Sequence, residues 1–173
     1  MKLRNMGHGL VQNDNVDVSN TVVMDSMVYQ PMQNKLTFYF TVIGSHHRGF
    51  AAQVSFNAVK EVKNIKSRDE AERYLENPKY MMTKDKGGSN HIVEKPRGTL
   101  NSVEVRCTCE SYRFTYAYAN RRNRALFPPD FPIYVRKTPV RGGRPRRNPY
   151  KIPGLCKHLV LVAEYLVDND YVI

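Results

Sequence analysis

The chain has 173 residues, 41% of them hydrophobic, and a formal net charge of +11 from 27 basic and 16 acidic side chains. This length fits one ordinary domain or two small ones, and the apolar share is sufficient for a packed core, which argues against wholesale disorder. No run of residues approaches the roughly 18 apolar positions that a membrane span needs, and we see no signal peptide at the start.

The cysteine count bears on the compartment. Three cysteines cannot all close as internal disulfides, which argues against a secreted domain held together by disulfides. We therefore expect a reducing location and no export by a signal peptide.

The first half is predicted to form a small antiparallel sheet. Two segments rich in β-branched and aromatic residues, Thr21–Tyr29 and Leu36–Ile43, flank the turn signal Gln30-Pro31 and are typical of paired strands. Apolar and polar residues alternate within 50–62, which predicts a third strand.

A capping box predicts one helix beside this sheet. Ser67 precedes Glu70 by three residues, and a hydroxyl and a carboxylate at that spacing can satisfy the free amides of a helix start. We expect the helix to run from about Ser67 to Asn77. Residues 84–98 contain glycines and a proline and are predicted to be a linker or exposed loop. The predicted modules are therefore 1–97, rich in β-strand, and 98–173.

The second half is predicted to contain a strand, an ambiguous aromatic segment and a helix. Val103 and Val105 lead as a strand into Cys107. Aromatic residues at every second position from 112 to 118 suit a strand, whereas residues 112, 115, 116 and 119 would form one face of a helix, so both readings stay open. The end of the chain has apolar residues at 155, 159, 162, 163 and 166, the spacing of an amphipathic helix.

Most of the positive charge lies between the aromatic segment and the last helix. Residues 121–151 hold 10 basic side chains against 1 acidic, and 121–153 holds seven prolines, so we define 121–153 as the Arg-rich arm. An irregular segment of this length suggests a role. The candidate binding residues are Arg121, Arg122, Arg124, Arg136, Lys137, Arg141, Arg144, Arg146, Arg147 and Lys151.

The composition of the arm suits two kinds of partner. Arginine outnumbers lysine, which favours bidentate recognition of phosphate or carboxylate, and the aromatic residues among the cations can stack on exposed bases. Nucleic acid and an acidic protein surface are both compatible with this pattern, and a merely solvated loop is the third alternative.

All three cysteines lie in two short motifs that together form a metal-binding pattern. Cys107 and Cys109 form a C-x-C motif, and Cys156 and His158 form a C-x-H motif. Positions i and i+2 of a strand end face the same side, so the first pair can converge on one ion. In a helix the same spacing points side chains about 200° apart. Cys156 should therefore precede the last helix, with His158 in its first turn.

Three cysteines and one histidine suit a tetrahedral, structural zinc site with no open position. The second module without its arm has about forty residues, a size at which a hydrophobic core alone rarely suffices and a metal adds stability. The alternatives are ordinary buried cysteines beside a surface histidine, or a nucleophilic Cys156/His158 pair. The second alternative lacks a third orienting residue and an oxyanion motif.

These two motifs resemble the SWIM-type zinc finger, whose pattern is C-x-C, a spacer, and C-x-H at the start of an apolar helix. Tyr112 and Phe114 follow the first motif as in that family, and the resemblance covers roughly residues 100–173. The spacer of 46 residues, 110–155, is longer than most SWIM spacers. The resemblance implies a DNA- or protein-binding module.

Two segments are also similar to SWIM-like proteins encoded by tailed bacteriophages. These are Tyr118–Asn120 and the stretch from Asn148 to His158. The similarity implies a component of a virion.

We therefore expect an α+β protein: a small antiparallel sheet with a helix, followed by a zinc-clasped strand, long loop and helix. The predicted function is non-enzymatic. We expect a structural or binding protein that belongs to a tailed-phage virion or takes part in its assembly. Its arm would bind a neighbouring protein or DNA. The alternative is a free DNA-binding accessory or regulatory protein. The expected location is the virion or the host cytoplasm; no membrane partner or small-molecule substrate is expected, and an oligomer is compatible with the sequence.

Overall fold

A computed structural model of the chain describes residues 21–44, 48–65, 67–128 and 152–173. These residues form a mixed α+β fold around one seven-stranded sheet. The strands are β1 (Thr21–Gln30), β2 (Lys35–Ile43), β3 (Gly49–Phe56), β4 (Glu61–Ile65), β5 (Tyr80–Lys84), β6 (Asn90–Glu94) and β7 (Val103–Cys107). Their order across the sheet is β4-β6-β5-β1-β2-β3-β7. All neighbours are antiparallel except β1 and β5, which are parallel.

The helical segments are few and short. Helix α1 spans Arg68–Leu75, a π-helical turn at Tyr112–Tyr116 continues into α2 (Ala117–Arg122), and α3 spans Lys157–Asp168. Within the described ranges, no helix is long and apolar enough to cross a membrane.

The predicted hairpin of the first two strands is confirmed. Strands β1 and β2 pair from Thr21 opposite Ile43 to Gln30 opposite Lys35. Between them a 3-10 turn at Pro31–Gln33 ends at Asn34, whose left-handed conformation (φ 47°) reverses the chain. Asparagine tolerates this conformation better than most residues, so the turn is encoded locally.

The predicted third strand is divided in two. Strand β3 ends at Phe56, and β4 begins only at Glu61 on the far edge of the sheet. The N–H of Asn57 still donates to the carbonyl of Ser102 (2.9 Å), and that of Val59 donates to the carbonyl of Asn34 (2.8 Å). Between them Ala58 has a left-handed conformation (φ 56°), and there the chain turns out of the strand. Alternating polarity alone could not indicate this break.

The prediction of a loop over residues 84–98 is wrong in part. Strand β6 lies inside that segment and pairs with both β5 and β4. The two glycines mark a tight turn between strands, in which Gly88 has φ +87° and its N–H donates to the carbonyl of Asp85 (3.1 Å). Glycine adopts this backbone angle at no steric cost, which explains its place here. The division into modules at residue 97 stays a prediction, and β7 of the second predicted module pairs with β3 of the first.

The main core lies between one face of the sheet and α3. Every second residue of β2, β3 and β7 points to this face, including the fully buried Phe38, Val54 and Val105. Leu159 and Leu166 of α3 belong to the same buried cluster. The C-terminal helix was predicted from its apolar spacing and is confirmed. Cys107 ends β7 on this face, so the sheet positions it beneath α3.

The aromatic segment that sequence left ambiguous is helical. Tyr112 and Tyr116 point inward and are buried, whereas Phe114 and Tyr118 are 47% and 39% exposed. One side of this helix therefore packs on the core and the other presents two aromatic rings to solvent.

The cap predicted for the first helix gives a testable contribution to stability. The Ser67 hydroxyl accepts a hydrogen bond from the N–H of Glu70 (3.3 Å) at the start of α1. Replacing Ser67 with alanine is expected to lower the free energy of unfolding by about 1 kcal/mol, because it leaves a helix-end amide without its cap. Urea denaturation measures this. Ser67→Asp retains a capping oxygen and should unfold like the parent, and an equal loss in both variants would contradict the capping role.

Candidate metal centre

The structure brings Cys107, Cys109, Cys156 and His158 together in one cluster. One ligand atom from each lies within 4.8 Å of all the others, and all four residues are buried. In a tetrahedral zinc site with bonds of about 2.3 Å to sulfur and 2.0 Å to nitrogen, ligand atoms are about 3.5–3.8 Å apart. The distance from Cys107 Sγ to His158 Nδ1 is 3.8 Å. The cluster can hold a metal ion with small adjustments of the side chains.

The end of β7 and the start of the next helix position the C-x-C motif. Cys107 is the last residue of β7, and Cys109 begins the helical stretch, since its carbonyl accepts from the N–H of Arg113 (3.1 Å). The sulfur of Cys109 accepts from the N–H of Tyr112 (3.3 Å), as the side chain of a helix cap does. The Cys107 sulfur accepts from the N–H of Cys109 (3.5 Å). Backbone donors thus fix both sulfurs.

The C-x-H motif takes the arrangement that sequence predicted. Cys156 is extended (φ −77°, ψ 166°) and immediately precedes α3, and its carbonyl accepts from the N–H of Val160 (3.0 Å). His158 is the second residue of α3. Its ring stacks on Phe50 with centroids 4.4 Å apart and planes 21° from parallel. This contact holds the imidazole with Nδ1 toward the cysteines.

The backbone surroundings favour negative charge on the sulfurs. Cys109 and Cys156 each occupy the position just before a helix, where the free N–H groups create a partial positive charge. A metal held by three thiolates and one imidazole carries a formal charge of −1 when the ion is divalent. Two helix starts directed at that site offset part of the cost of its burial.

The three sulfurs lie close enough to shift one another's pKa. The hydrogen bond with Cys109 raises the pKa of the Cys107 thiol to about 12. Burial raises the pKa of Cys156 well above its ordinary value, whereas hydrogen bonds from the thiols of Cys107 and then Cys156 lower the pKa of Cys109. The raised pKa values of Cys107 and Cys156 favour the protonated thiols at these two positions when no metal is bound. A metal that binds all three must displace those protons.

A buried asparagine joins the two motifs, and sequence reasoning missed its role. Asn120 is 0% exposed, its Nδ2 donates to the carbonyl of Gly154 (2.9 Å), and its Oδ1 accepts from the N–H of Gly154 (3.0 Å). The same Nδ2 donates to the hydroxyl of Tyr112 (3.1 Å), which donates to the carbonyl of Val105 (2.7 Å). Because Asn120 and Gly154 are 34 residues apart, no local spacing signals this contact.

The structure describes only the first part of the Arg-rich arm and its last two residues. Arg121, Arg122 and Arg124 are exposed. After them the chain runs beside β7, since the N–H of Val105 donates to the carbonyl of Ala125 (2.8 Å). The other predicted binding residues lie outside the described residues. They are Arg136, Lys137, Arg141, Arg144, Arg146, Arg147 and Lys151.

Another buried histidine differs from His158 in its surroundings. His91 Nδ1 lies 2.7 Å from Glu61 Oε1, and its Nε2 lies 3.3 Å from Asp85 Oδ2. The carboxylates of Glu61 and Asp85 therefore contact different nitrogens of the ring and do not converge on one point. Their contacts join β4 and the β5–β6 turn to β6, which is a structural role.

The donor set at Cys107, Cys109, Cys156 and His158 determines what the centre can do. An ion bound by all four would have no open position for water or substrate, as in structural zinc sites. An ion bound there would join the end of β7 to the start of α3. Comparisons with family models, with curated proteins and with solved structures gave no match, so they assign the chain to no known family.

Proposed function

We propose that the chain is a non-enzymatic binding protein with a structural zinc site of the SWIM type, and that its Arg-rich arm binds a neighbouring protein or DNA. The single observation that carries the proposal is the buried convergence of Cys107, Cys109, Cys156 and His158. The two pairs of ligands lie on either side of the arm in sequence. The metal therefore fixes the place from which the arm leaves and to which it returns.

Zinc is the metal that this donor set favours. Thiolate sulfur is a poor ligand for magnesium and calcium, which prefer oxygen, whereas three sulfurs and one imidazole nitrogen at tetrahedral spacing suit zinc. Metal analysis of protein purified under reducing conditions tests this part of the proposal. We expect one zinc per chain, and a preparation without bound metal would overturn it.

The base of the arm is held by more than the metal. The side chain of Asn120, directly before the arm, makes both hydrogen bonds to Gly154, directly after it. A segment of 33 residues is thus closed at a rigid base. Its prolines reduce the conformational entropy that is lost when it orders on a partner. These features support a role in binding, and the excess of arginine supports an anionic partner.

We propose assembly with a neighbouring protein of a tailed-phage virion as the first role of the arm. Support for this comes from the resemblance of the two segments around residues 118–120 and 148–158 to tailed-phage proteins. Binding to an acidic protein surface uses the same bidentate arginine contacts as binding to phosphate.

The second candidate is DNA binding, and a specific observation favours it. Phe114 and Tyr118 are partly exposed one helical turn apart, on the helix that ends in Arg121 and Arg122. Aromatic rings beside arginines are the combination with which proteins stack on bases and contact phosphates. The surface formed by these four residues leads directly into the arm.

Salt dependence distinguishes the two candidates. Replacing Arg121, Arg122 and Arg124 together with glutamine is expected to weaken DNA binding and to lower the slope of log affinity against log salt by about 3, roughly one per phosphate contact. Fluorescence anisotropy with a 20-nucleotide probe between 50 and 200 mM salt measures this. The matched control replaces the exposed Arg73, Lys84 and Lys86 with glutamine, which removes the same charge elsewhere.

Equal slopes in the two triple variants would contradict DNA binding through the base of the arm. Absence of DNA binding at 50 mM salt, together with association of the protein with a purified virion protein, would favour the first candidate. If the protein binds neither DNA nor a virion protein, the proposed role of the arm is overturned, whereas the proposed metal site is unaffected.

A further inference from the structure

We propose that Asn120 is a positioning residue for the metal site, which sets the separation of the C-x-C and C-x-H motifs through the hydrogen bonds of its side-chain amide. This inference rests on the proposed zinc site and assigns a function to a residue that neither motif contains. It concerns residues that do not bind the metal themselves.

The first step is the saturation of the amide. Asn120 is completely buried, and both its oxygen and its nitrogen have partners within 3.1 Å. A buried amide without partners would be costly, so its retention at this position depends on these contacts. Pairing with both the N–H and the carbonyl of Gly154 imitates the way in which one strand pairs with another. The side chain therefore fixes the position and the orientation of that backbone.

The second step is where the hydrogen bonds lead. Gly154 lies two residues before Cys156, and Val105 lies two residues before Cys107. The path from Gly154 through Asn120 and the Tyr112 hydroxyl ends on the carbonyl of Val105. Tyr112 also donates its backbone N–H to the sulfur of Cys109. The network thus contacts every backbone segment that carries a cysteine ligand.

The third step is the direction of the two hydrogen bonds made by the Tyr112 hydroxyl. The carbonyl of Val105 can only accept a hydrogen bond, so the Tyr112 hydroxyl is the donor in this contact (2.7 Å). Its oxygen is then free to accept from Asn120, which makes the direction of each hydrogen bond in the path unambiguous. Outer partners of this kind typically change metal affinity ten- to a hundredfold when they are replaced.

The test replaces Asn120 with aspartate in the full chain loaded with zinc. Aspartate has the same shape and still accepts from the N–H of Gly154, but it cannot donate to the carbonyl of Gly154 or to Tyr112. We expect zinc transfer to a chromophoric chelator to become about ten to a hundred times faster. We also expect the visible absorption bands of the cobalt-substituted protein to shift, because the two pairs of ligands are no longer held at the same separation.

Two controls separate positioning from a general loss of stability. Asn123→Asp makes the same chemical change at the end of the same helix, where the side chain donates only to the carbonyl of Ala119 (2.8 Å). Ile92→Ala creates a cavity in the smaller buried cluster on the opposite part of the sheet. Both controls should release zinc at the parental rate and keep the parental cobalt spectrum, although Ile92→Ala melts at a lower temperature.

The inference is overturned if Asn120→Asp folds, releases zinc at the parental rate and keeps the cobalt spectrum. It is equally overturned if Ile92→Ala accelerates release as much as Asn120→Asp does. If Asn120→Asp fails to fold, Tyr112→Phe takes its place: faster release supports the inference, and unchanged release overturns it. The proposed zinc site is judged separately, by the zinc content of the parental protein.

Discussion

Replacing Cys156 with serine is expected to abolish metal binding and to unfold the segment that contains α3. Serine has nearly the shape of cysteine, so the packing around this buried position changes little, but the thiolate ligand is lost. Structural zinc contributes of the order of 10 kcal/mol of apparent binding free energy to small domains. We therefore expect the free energy of unfolding to fall by at least about 4 kcal/mol, with metal content dropping from one ion per chain to none.

Removal of the metal from the parental protein supplies the matched control. With excess chelator the parental protein and Cys156→Ser should melt at the same temperature, because neither then has a metal to lose. With zinc present, thermal unfolding followed by circular dichroism should separate them widely. Serine substitution that lowers the melting temperature equally with and without chelator would show that Cys156 only packs in the core, and would contradict the metal site.

The four ligands of the centre could be predicted from sequence because each pair is encoded over three residues. Strand periodicity brings the Cys107 and Cys109 side chains together, and the angle of about 200° between positions i and i+2 of a helix requires Cys156 to precede α3. The structure has the second feature. The sulfurs of Cys107 and Cys109 do converge, but β7 ends at Cys107 and Cys109 begins the next helical stretch, so a strand end followed by a helix cap brings them together. Spacing could not supply the sheet that brings these pairs together, since 49 residues lie between the end of β7 and the start of α3.

Features that depend on distant parts of the chain were not predictable in this way. Strand β6 follows a pair of glycines that is equally typical of a linker, and only its pairing with β5 and β4 defines it as a strand. Asn120 is an ordinary polar residue in sequence, and its role depends on a partner 34 positions away. The aromatic segment matched two periods at once, and packing of Tyr112 and Tyr116 against the core decided for the helix.

The second large effect on stability is expected at the contact between β2 and the residues that follow α3. The Phe38 ring is fully buried, and it packs edge-on against Phe56 (centroids 6.0 Å apart) and against Tyr171 (5.8 Å), which follows α3. Replacing Phe38 with alanine is expected to lower the free energy of unfolding by about 3–5 kcal/mol, because it removes buried apolar surface and leaves a cavity. Urea denaturation of the zinc-loaded protein measures this.

Phe114→Ala is the matched control for this substitution, since it removes the same side chain from a position that is 47% exposed. Its cost should stay below about 1 kcal/mol, as is usual for surface positions. Phe38 packs the segment after α3 against the sheet, and it is not one of the proposed metal ligands. Phe38→Ala should therefore still bind one zinc per chain in the absence of denaturant. Equal losses of stability in the two variants would contradict the packing of the C-terminal segment on β2.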